Sequence, residues 1–437
     1  MSHLAIDGGE KVVCRENPDM FAWPIVNREM EAGVLDILRR GAMSQNDVTK
    51  RFERGYARWH GVKYALGHNN GTASLEAAMY AVGVRRGDEI IAPSMTYWAT
   101  CVQALGLGAK VVFADIDPET LCIDPDDIEH RITDKTRAIV LVHYLGIVAD
   151  MDRICAIARK HNLKIIEDAS HAHGSLYHDK MAGTFGDVGC FSLMSSKGFA
   201  VGEAGILITD DREIYERAIL YGHYIRHDEL TDESIRAMAG LPVGGCKYRM
   251  HQMSAAVGVA QLKKYPAEMA EIDAAMRYYW SLLKDVPGIR PIQATAPGSS
   301  MGAWYFPHAH YDRDCFDGLS VQRFCEALQA EGSKAIPGVN AALHKHPLFS
   351  KIDIFGDGHP TNQLSGGRDV STDPLPVTEG IQERVFGVPW FKHLWKDEIE
   401  LHAAAVRKVA ANYRDLLAGD KHVTAFNGHW GLSTIKT

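Results

Sequence analysis

The chain has 437 residues, of which 46% are hydrophobic and 23% are charged, a composition typical of a globular protein. Lysine and arginine number 47 against 55 aspartates and glutamates, and the net charge of −8 disfavours a nucleic-acid coat or a polybasic membrane anchor. No apolar run approaches the about 20 residues that a membrane-spanning helix needs. We therefore expect neither nucleic acid nor a membrane among its partners.

Cysteine usage and the first residues indicate the compartment. Eight cysteines are scattered through the chain without a Cys-x-x-Cys pair, which indicates reduced thiols rather than a disulfide framework or a zinc site. The chain starts with MSHLAIDGGEKVV, which lacks the apolar core of a secretion signal. The sequence therefore predicts a cytoplasmic protein.

Short β-branched runs alternate with helical stretches in the first half of the chain. The predicted strands lie at Glu89–Ala92, Lys110–Ala114, Ala138–His143, Lys164–Glu167, Val188–Leu193 and Gly205–Thr209. The predicted helices lie at Thr72–Val82, Tyr97–Leu107, Pro125–Ile132 and Met151–His161. This alternation predicts βαβ units and an α/β fold whose mostly parallel sheet is flanked by helices.

The pattern changes after Thr209. The later predictions are a loop at Arg226–Gly245, helical stretches at Met250–Leu262 and Ala267–Leu283, a strand at Ala303–His308, helices at Val321–Glu331 and Lys396–Leu417, and a polar loop at Asp353–Glu379. A loop of that length is usually functional or disordered. We expect an N-terminal extension (residues 1–20), a large domain (21–285) and a smaller C-terminal α+β domain (286–437).

Candidate ligand groups follow the predicted strands, where open α/β sheets place their ligands. The run Asn70–Ser74 opens a helix with a glycine and a hydroxyl, which suits an anion, although such a run taken alone is more often only an N-cap. Tyr97 follows the next strand, where its ring is placed either to stack on a planar ligand or to pack in the core.

Asp168 ends an apolar strand, where a carboxylate is costly to bury without a partner such as a cationic ring nitrogen. His171 and His173 follow two residues apart, a spacing that also suits a metal pair. No further Cys, Asp or Glu completes a zinc shell in the sequence, so we predict no metal.

Ser192 ends the next strand, and Lys197 follows five residues later among small residues. A lysine beside a hydroxyl that can hold phosphate suits a Schiff-base lysine, whereas a lysine considered alone is normally a solvated surface residue. The argument for Lys197 therefore depends on the whole set of motifs.

Together these motifs resemble the DegT/StrS family of pyridoxal-phosphate (PLP) sugar aminotransferases, of fold type I. The resemblance runs from about residue 20 to the C-terminal helix. It is carried, in family order, by NGTASLEAA (70–78), PSMTYWAT (93–100), ADIDPETLCIDP (114–125), HYLGIVADMD (143–152), EDASHAHGS (167–175), GCFSLMSSKGFAVGEAG (189–205) and KYRMHQMSAAVGVAQL (247–262). It implies a large domain with a mostly parallel sheet, plus a smaller C-terminal α+β domain.

The resemblance implies three catalytic residues. Lys197 matches the lysine that binds PLP covalently and shuttles the substrate proton. Asp168 matches the carboxylate that pairs with the pyridine nitrogen and keeps it protonated. His171 matches the position, often Gln or His, beside the phenolic oxygen.

The same comparison implies the residues that bind the cofactor. Tyr97 matches the aromatic residue that stacks on the PLP ring. Gly71, Thr72, Ala73 and Ser192 match the phosphate cup, where Thr72 and Ala73 act partly through backbone N–H groups.

Two positions depart from the family pattern. Ala204 stands where a glycine is usual, which restricts the backbone there. Lys247 stands where relatives commonly carry an asparagine that reaches the cofactor phosphate of the neighbouring subunit. We predict that Lys247 makes the same contact with a full charge, in a homodimer with shared active sites.

The resemblance implies transfer of an amino group from L-glutamate or L-glutamine to a keto group of a sugar or cyclitol. Segments 316–332 and 343–350 look like the branch that acts on scyllo-inosose-like cyclitols. Most of the family acts on nucleotide-linked sugars, whose diphosphate needs cations; the candidates are Arg39, Arg40, Lys50, Arg51 and Arg54.

Other functions remain open from the sequence. A PLP sugar dehydratase shares the fold but replaces the lysine with histidine, so Lys197 argues against it. A nicotinamide enzyme is disfavoured because Gly106-Leu107-Gly108 follows a helix and no full G-x-G-x-x-G is present. A non-catalytic PLP-binding regulatory protein is disfavoured by the intact set of site residues.

Overall fold

A computed structural model describes residues 3–15, 17–363 and 373–421. Its strands, in chain order, are β1 (Tyr64–His68), β2 (Glu89–Pro93), β3 (Lys110–Ala114), β4 (Thr136–Val142), β5 (Lys164–Asp168), β6 (Leu176–Tyr177), β7 (Lys180–Met181), β8 (Val188–Ser192), β9 (Gly205–Thr209), β10 (Ile289–Pro291), β11 (His308–Tyr311), β12 (Ile336–Pro337) and β13 (Val385–Gly387).

Its α-helices, in chain order, are α1 (Arg28–Arg40), α2 (Asp47–His60), α3 (Gly71–Ala81), α4 (Gln103–Gly106), α5 (Pro125–Arg131), α6 (Met151–His161), α7 (Arg212–Gly222), α8 (Glu233–Arg236), α9 (Gln252–Ser281), α10 (Val321–Ala330), α11 (Pro347–Ser350), α12 (Pro376–Gly380), α13 (Lys396–Ala411) and α14 (Arg414–Leu417). Short 3₁₀ turns, such as Tyr224–Glu229, connect several of them.

The largest sheet has the strand order β1-β9-β8-β5-β4-β2-β3. Strand β9 runs antiparallel to both of its neighbours, β1 and β8, while the pairs from β8 to β3 are parallel. The carboxyl ends of β1, β2, β4, β5 and β8 therefore meet at one edge of the sheet. This confirms the predicted mostly parallel α/β sheet.

Alternating side chains of the central strands bury on opposite faces. Ile91 and Ile139 contribute to one hydrophobic cluster, whereas Ile90 and Val140 contribute to the other. Because successive strand residues point to opposite faces, both faces need a cover of helices. Helices α3 and α7 cover one face, and helix α9 packs with α1 and α2 on the other side.

Helix α9 corrects the sequence interpretation. The two predicted stretches, Met250–Leu262 and Ala267–Leu283, form one continuous helix that passes through Pro266. Proline lacks an N–H and normally ends a helix, which is why the sequence suggested two pieces. Buried residues on both sides of the proline, such as Ala260 and Ile272, hold the helix against the core.

A second unit is built on an antiparallel sheet with the order β10-β11-β13-β12. Helices α10 and α13 pack together beside it. The N-terminal residues dock on this unit, since the Glu331 carboxylate accepts hydrogen bonds from the N–H groups of Ala5 and Val12 and from Lys408. The domain limits themselves stay a prediction.

Three local predictions need correction or restriction. The predicted helix Tyr97–Leu107 is replaced by a 3₁₀ turn at Trp98–Thr100 and the short α4. The predicted strand Ala303–His308 begins only at His308. Of the predicted loop Asp353–Glu379, residues 364–372 lie outside the described residues, and its last part forms α12.

The described residues contain no helix that is long and apolar enough to cross a membrane. Within the same ranges, no group of three or more His, Cys, Asp or Glu residues is arranged to hold a metal ion. The eight cysteines are free thiols. The cytoplasmic location stays a prediction.

Candidate active site

Asp168 lies at the carboxyl end of β5 and is only 5% exposed. Its Oδ2 accepts a hydrogen bond of 2.7 Å from the Thr100 hydroxyl, and its Oδ1 accepts one of 3.1 Å from the Ser170 N–H. Both donors are neutral, and no cationic side chain forms a salt bridge with Asp168 among the described residues. A buried carboxylate in this setting is suited to a cationic ligand.

The start of α3 lies against the end of β8. A Cβ added at Gly71 would lie 2.8 Å from the Cβ of Ser192, so only glycine allows this approach. The Ser192 N–H donates to Ser170 at 2.9 Å, which fixes the serine at the helix start. The first N–H groups of a helix have no acceptor within the helix, so the N–H groups of Gly71 and Thr72 are unused helix donors at the end of α3 that lies against Ser192.

The Ala73 N–H, which was expected to help bind the phosphate, already has an acceptor. It donates to the Asn70 side chain, at 2.8 Å, as the N-cap interaction of α3. The N-cap interpretation of this segment is therefore confirmed, while the anion site stays a prediction. An anion that used the Ala73 N–H would have to displace the Asn70 amide.

Lys197 lies on the loop after β8 and is buried. Its Nζ donates to the Tyr305 hydroxyl at 3.2 Å and lies 4.4 Å from the centre of the Tyr305 ring. Its carbonyl oxygen accepts a 2.8 Å hydrogen bond from the Trp23 indole N–H. Both the backbone and the amine of Lys197 are thus held in place.

Tyr305 is a site residue that the sequence analysis missed. The residues on either side of it, Trp304 and Phe306, have φ values of 52° and 51°. Bulky residues rarely adopt this left-handed conformation, which is costly and is concentrated at functional sites. This backbone turns the Tyr305 ring toward Lys197 and His171.

His171 is buried, and its ring lies 4.4 Å from that of Tyr305 and 5.6 Å from that of Tyr144. Its Nδ1 has no hydrogen-bond partner among the described residues. Burial, together with the nearby Lys197, holds the pKa of His171 well below its usual range, so the ring is neutral. A neutral imidazole with an unused nitrogen is available to a ligand.

His173 is buried in a different environment. Its ring lies 5.4 Å from that of Phe191 and 6.3 Å from that of Phe199, so it has other aromatic neighbours than His171 has. Burial also holds the pKa of His173 well below its usual range. The two histidines are therefore spaced in sequence like a metal pair but lie among different side chains.

Tyr97 lies at the rim of the site and is 37% exposed. Burial, followed by the proximity of Glu203 and Tyr305, raises the pKa of Tyr97. Its ring also lies 4.9 Å from that of Trp98. The exposure of Tyr97 favours the stacking alternative over the core alternative.

Lys247 lies apart from this group. It lines a cavity of 230 Å³ together with Asn46, Arg226, Arg249 and His251. The structure therefore brings together Gly71, Thr72, Tyr97, Asp168, His171, Ser192 and Lys197 at one sheet edge, and none of these residues lines the cavity that Lys247 lines.

Two further residues of the site were missed. Thr100 is contained in the quoted PSMTYWAT motif, and a hydroxyl four residues after Thr96 at a strand exit was a usable signal. Thr96 and Thr100 hydrogen-bond to each other at 2.7 Å, in series with Asp168. Trp23 is 174 residues from Lys197 in sequence, and no local pattern connects the two.

The fold is that of the fold type I PLP-dependent aminotransferases. An X-ray structure of an aminotransferase from Psychrobacter cryohalolentis has a TM-score of 0.77 with this chain at 26% identity, covering 90% of this chain and all of that one. A model described as the DegT/DnrJ/EryC1/StrS aminotransferase family matches residues 24–407, and the chain belongs to that family.

Curated relatives of this chain are also named as aminotransferases. The L-glutamine:2-deoxy-scyllo-inosose aminotransferase of Streptoalloteichus tenebrarius is 34% identical over 441 residues, covering 95% of this chain and 99% of the relative. The L-glutamine:scyllo-inosose aminotransferase of Streptomyces griseus is 31% identical over 432 residues, with 95% and 99% covered. The predicted family, fold class and aminotransferase activity are confirmed.

Proposed function

We propose that this protein uses PLP to transfer the amino group of L-glutamine to a keto group of a cyclitol of the scyllo-inosose type. The observation that carries the proposal is the placement of a buried Asp168, which lacks a cationic partner among the described residues, at the same edge as a buried Lys197. The names of the curated relatives support the donor and the ketone class.

The residues present fit PLP. Asp168 would hold the proton at the pyridine nitrogen, because its two hydrogen bonds come from neutral donors and leave its charge uncompensated. The start of α3 and Ser192 would hold the phosphate, where Gly71 permits the close approach. His171 Nδ1 has no partner among the described residues and would face the phenolic oxygen.

The cofactor, when bound, would supply an electron sink for the substrate carbon that loses a proton. Lys197 Nζ would take that proton and return it, acting as the general base and acid. The Tyr305 hydroxyl, 3.2 Å away, would orient the amine for this transfer. Tyr97 would cover the ring from the exposed side of the site.

Two observations favour a cyclitol over a nucleotide-linked sugar. The candidate cations for a diphosphate lie on the surfaces of α1 and α2, where Arg39, Arg51 and Arg54 are exposed. Arg40 pairs with Asp36 and Asp47, and Lys50 pairs with Glu229. These contacts describe solvated helix faces rather than an assembled diphosphate site.

We also propose a homodimer with shared active sites. Lys247 lines a cavity that none of the other predicted site residues lines, which suits a residue that serves the partner's cofactor. Large apolar side chains are exposed on and near α1, including Leu35, Leu38 and Met43. Light scattering should give twice the chain mass. A mixture of Lys197→Ala and Lys247→Ala subunits should regain activity that neither variant has alone.

The first experiment is a spectrum of the protein with PLP, recorded before and after addition of L-glutamine or L-glutamate. The visible band should shift to the near-ultraviolet with L-glutamine, and Lys197→Ala should lose both the covalent band and the shift. The loaded protein is then offered scyllo-inosose, 2-deoxy-scyllo-inosose and a nucleotide-linked 4-keto sugar. Return of the visible band only with the nucleotide sugar would refute the cyclitol assignment.

The same spectra test the other candidate functions. A PLP band that neither donor shifts, and that no ketone in the panel alters, would favour a regulatory PLP-binding protein. Turnover of a keto sugar with loss of a hydroxyl and no net amine transfer would favour a dehydratase. A folded protein that shows no PLP band would refute the cofactor assignment.

A further inference from the structure

A second buried lysine lies close to the active site. Lys392 is only 3% exposed, and its Nζ has no hydrogen-bond partner among the described residues. No carboxylate in these ranges forms a salt bridge with it. A primary amine carries up to three N–H donors, so this side chain holds a full set of unused donors in a dry environment.

Two tryptophans connect Lys392 to Lys197. The Lys392 Nζ lies over the faces of the Trp23 and Trp390 rings. The Trp23 indole N–H donates to the Lys197 carbonyl at 2.8 Å, and Trp390 contacts the Tyr305 ring edge-on at 5.5 Å. Lys392 therefore contacts the same two tryptophans that contact Lys197 and Tyr305.

Contacts with the two tryptophan rings do not compensate the charge of a buried Lys392 ammonium as an anion would. A cation–π contact recovers only a small part of what a desolvated ammonium loses on leaving water. Burial accordingly holds the pKa of Lys392 well below its usual range. The indole N–H groups point elsewhere, to the carbonyls of Lys197 and Ala303, so the ring faces are what the amine meets.

We propose that Lys392 binds the carboxylate of the amino-acid donor. The proposal rests on the proposed function, in which one substrate is an α-amino acid and the other is an uncharged polyhydroxy ketone. Only the amino acid carries an anion, and a carboxylate is the group that satisfies both the charge and the N–H donors of a buried amine. Trp23 and Trp390 then serve as walls that exclude water from this pair.

The test separates the two half-reactions. Donor half-saturation is measured from the spectral shift with L-glutamine, and acceptor half-saturation from the return of the visible band with the keto cyclitol. Lys392→Met should raise the donor half-saturation about 10- to 100-fold and leave the acceptor value within about twofold, because loss of one charge-assisted contact changes an equilibrium by that order.

The matched control is Lys396→Met. Lys396 lies four residues further along, is exposed, and also lies against an aromatic ring, that of Tyr278, at 5.2 Å. Both half-saturation values should remain unchanged in this variant. Lys392→Arg keeps the charge and should recover part of the donor affinity. If Lys392→Met folds poorly, the arginine variant shows whether the position tolerates substitution.

A donor without the carboxylate completes the design. With 4-aminobutanamide, which is glutamine lacking its α-carboxylate, wild type and Lys392→Met should have the same half-saturation. An effect that persists with this amine, or one that falls on the keto cyclitol, would overturn the proposal in favour of a packing role. Unchanged glutamine affinity in folded Lys392→Met would overturn it outright.

Failure of the proposed function gives a different result. If the wild-type protein shows no spectral shift with L-glutamine or L-glutamate, the donor assignment is refuted and Lys392 has no donor carboxylate to bind. If the wild type shifts normally and Lys392→Met has the same donor half-saturation as the wild type, the proposed function stands and the role of Lys392 is refuted.

Discussion

Replacement of Gly71 by alanine tests whether the close approach of α3 to Ser192 forms the phosphate cup. The added Cβ would lie 2.8 Å from Ser192 Cβ, 2.9 Å from its Cα and 3.1 Å from its N. Two of these three atoms belong to the backbone, so a change of side-chain rotamer cannot relieve the contact. The helix start and the end of β8 must move apart.

The size of the effect follows from these distances. Non-bonded carbons pack at about 3.5–4.0 Å, so the two elements must separate by roughly 0.7 Å or more. Overpacking of this kind costs about 1–3 kcal/mol. If the cost falls on the PLP-bound form, in which the cup must close on the phosphate, the affinity for PLP falls about 5- to 150-fold.

The assay is a titration of cofactor-free protein with PLP, followed by absorbance, together with urea denaturation of the same samples. Gly106→Ala is the matched control, because Gly106 also lies in a helix and a Cβ there meets no atom within 4 Å. The control should bind PLP like wild type. Wild-type PLP affinity and stability in Gly71→Ala would refute the reasoning, and equal weakening in both variants would implicate helical glycines in general.

Three other predictions concern the site and the core. Tyr305→Phe removes the hydroxyl 3.2 Å from the lysine amine and should lower kcat/KM about 3- to 10-fold at unchanged stability; an unchanged rate would contradict its orienting role. Phe52→Ala empties a fully buried site and should destabilise the protein by about 3–5 kcal/mol in urea titrations, whereas a loss below about 1 kcal/mol would show that the core collapses around the gap. Burial alone would raise the pKa of Glu216, but hydrogen bonds from Arg212 and from residues 231–232 outweigh it and lower the pKa to about 2. Glu216→Gln should therefore cost about 1–3 kcal/mol at neutral pH. The difference from wild type should disappear as the pH falls from 4.5 toward 2, and a difference independent of pH would contradict the assignment.

The parallel sheet was predictable because its signal is local. The strands Lys110–Ala114 and Gly205–Thr209 were predicted with the limits that the structure has, since a strand buried on both faces is a short, nearly continuous apolar run. The strand predicted at 303–308 was wrong because Trp304 and Phe306 adopt left-handed φ values, which no strand contains. That conformation depends on tertiary contacts and leaves no mark in the residue types.

The sequence predicted the helices less accurately than the strands of the parallel sheet. Helices α1 and α2 were not predicted, although both are amphipathic, because they precede the alternating strands and helices of the βαβ pattern. The predicted helix at 97–107 is interrupted near Thr100, whose hydroxyl bonds to the Thr96 hydroxyl and donates to Asp168.

The site residues divide in the same way into those that local motifs predict and those that only tertiary packing brings to the site. Residues within the quoted motifs, such as Asp168 and Lys197, meet at the sheet edge because parallel strands present their carboxyl ends together. Tyr305 and Trp23 come from distant parts of the chain, and only the packed structure brings them to the lysine. Their roles, like those of the motif residues, stay predictions until the variants are measured.

The docking of the N-terminal residues on Glu331 has a consequence for synthesis on the ribosome. Ala5 and its acceptor are 326 residues apart, so the acceptor is made roughly 16–65 s after Ala5 at about 5–20 residues per second. During that interval Leu4 and Val13, which are buried in the finished protein, have no surface to cover them. This segment is therefore synthesised well before the surface on which it packs.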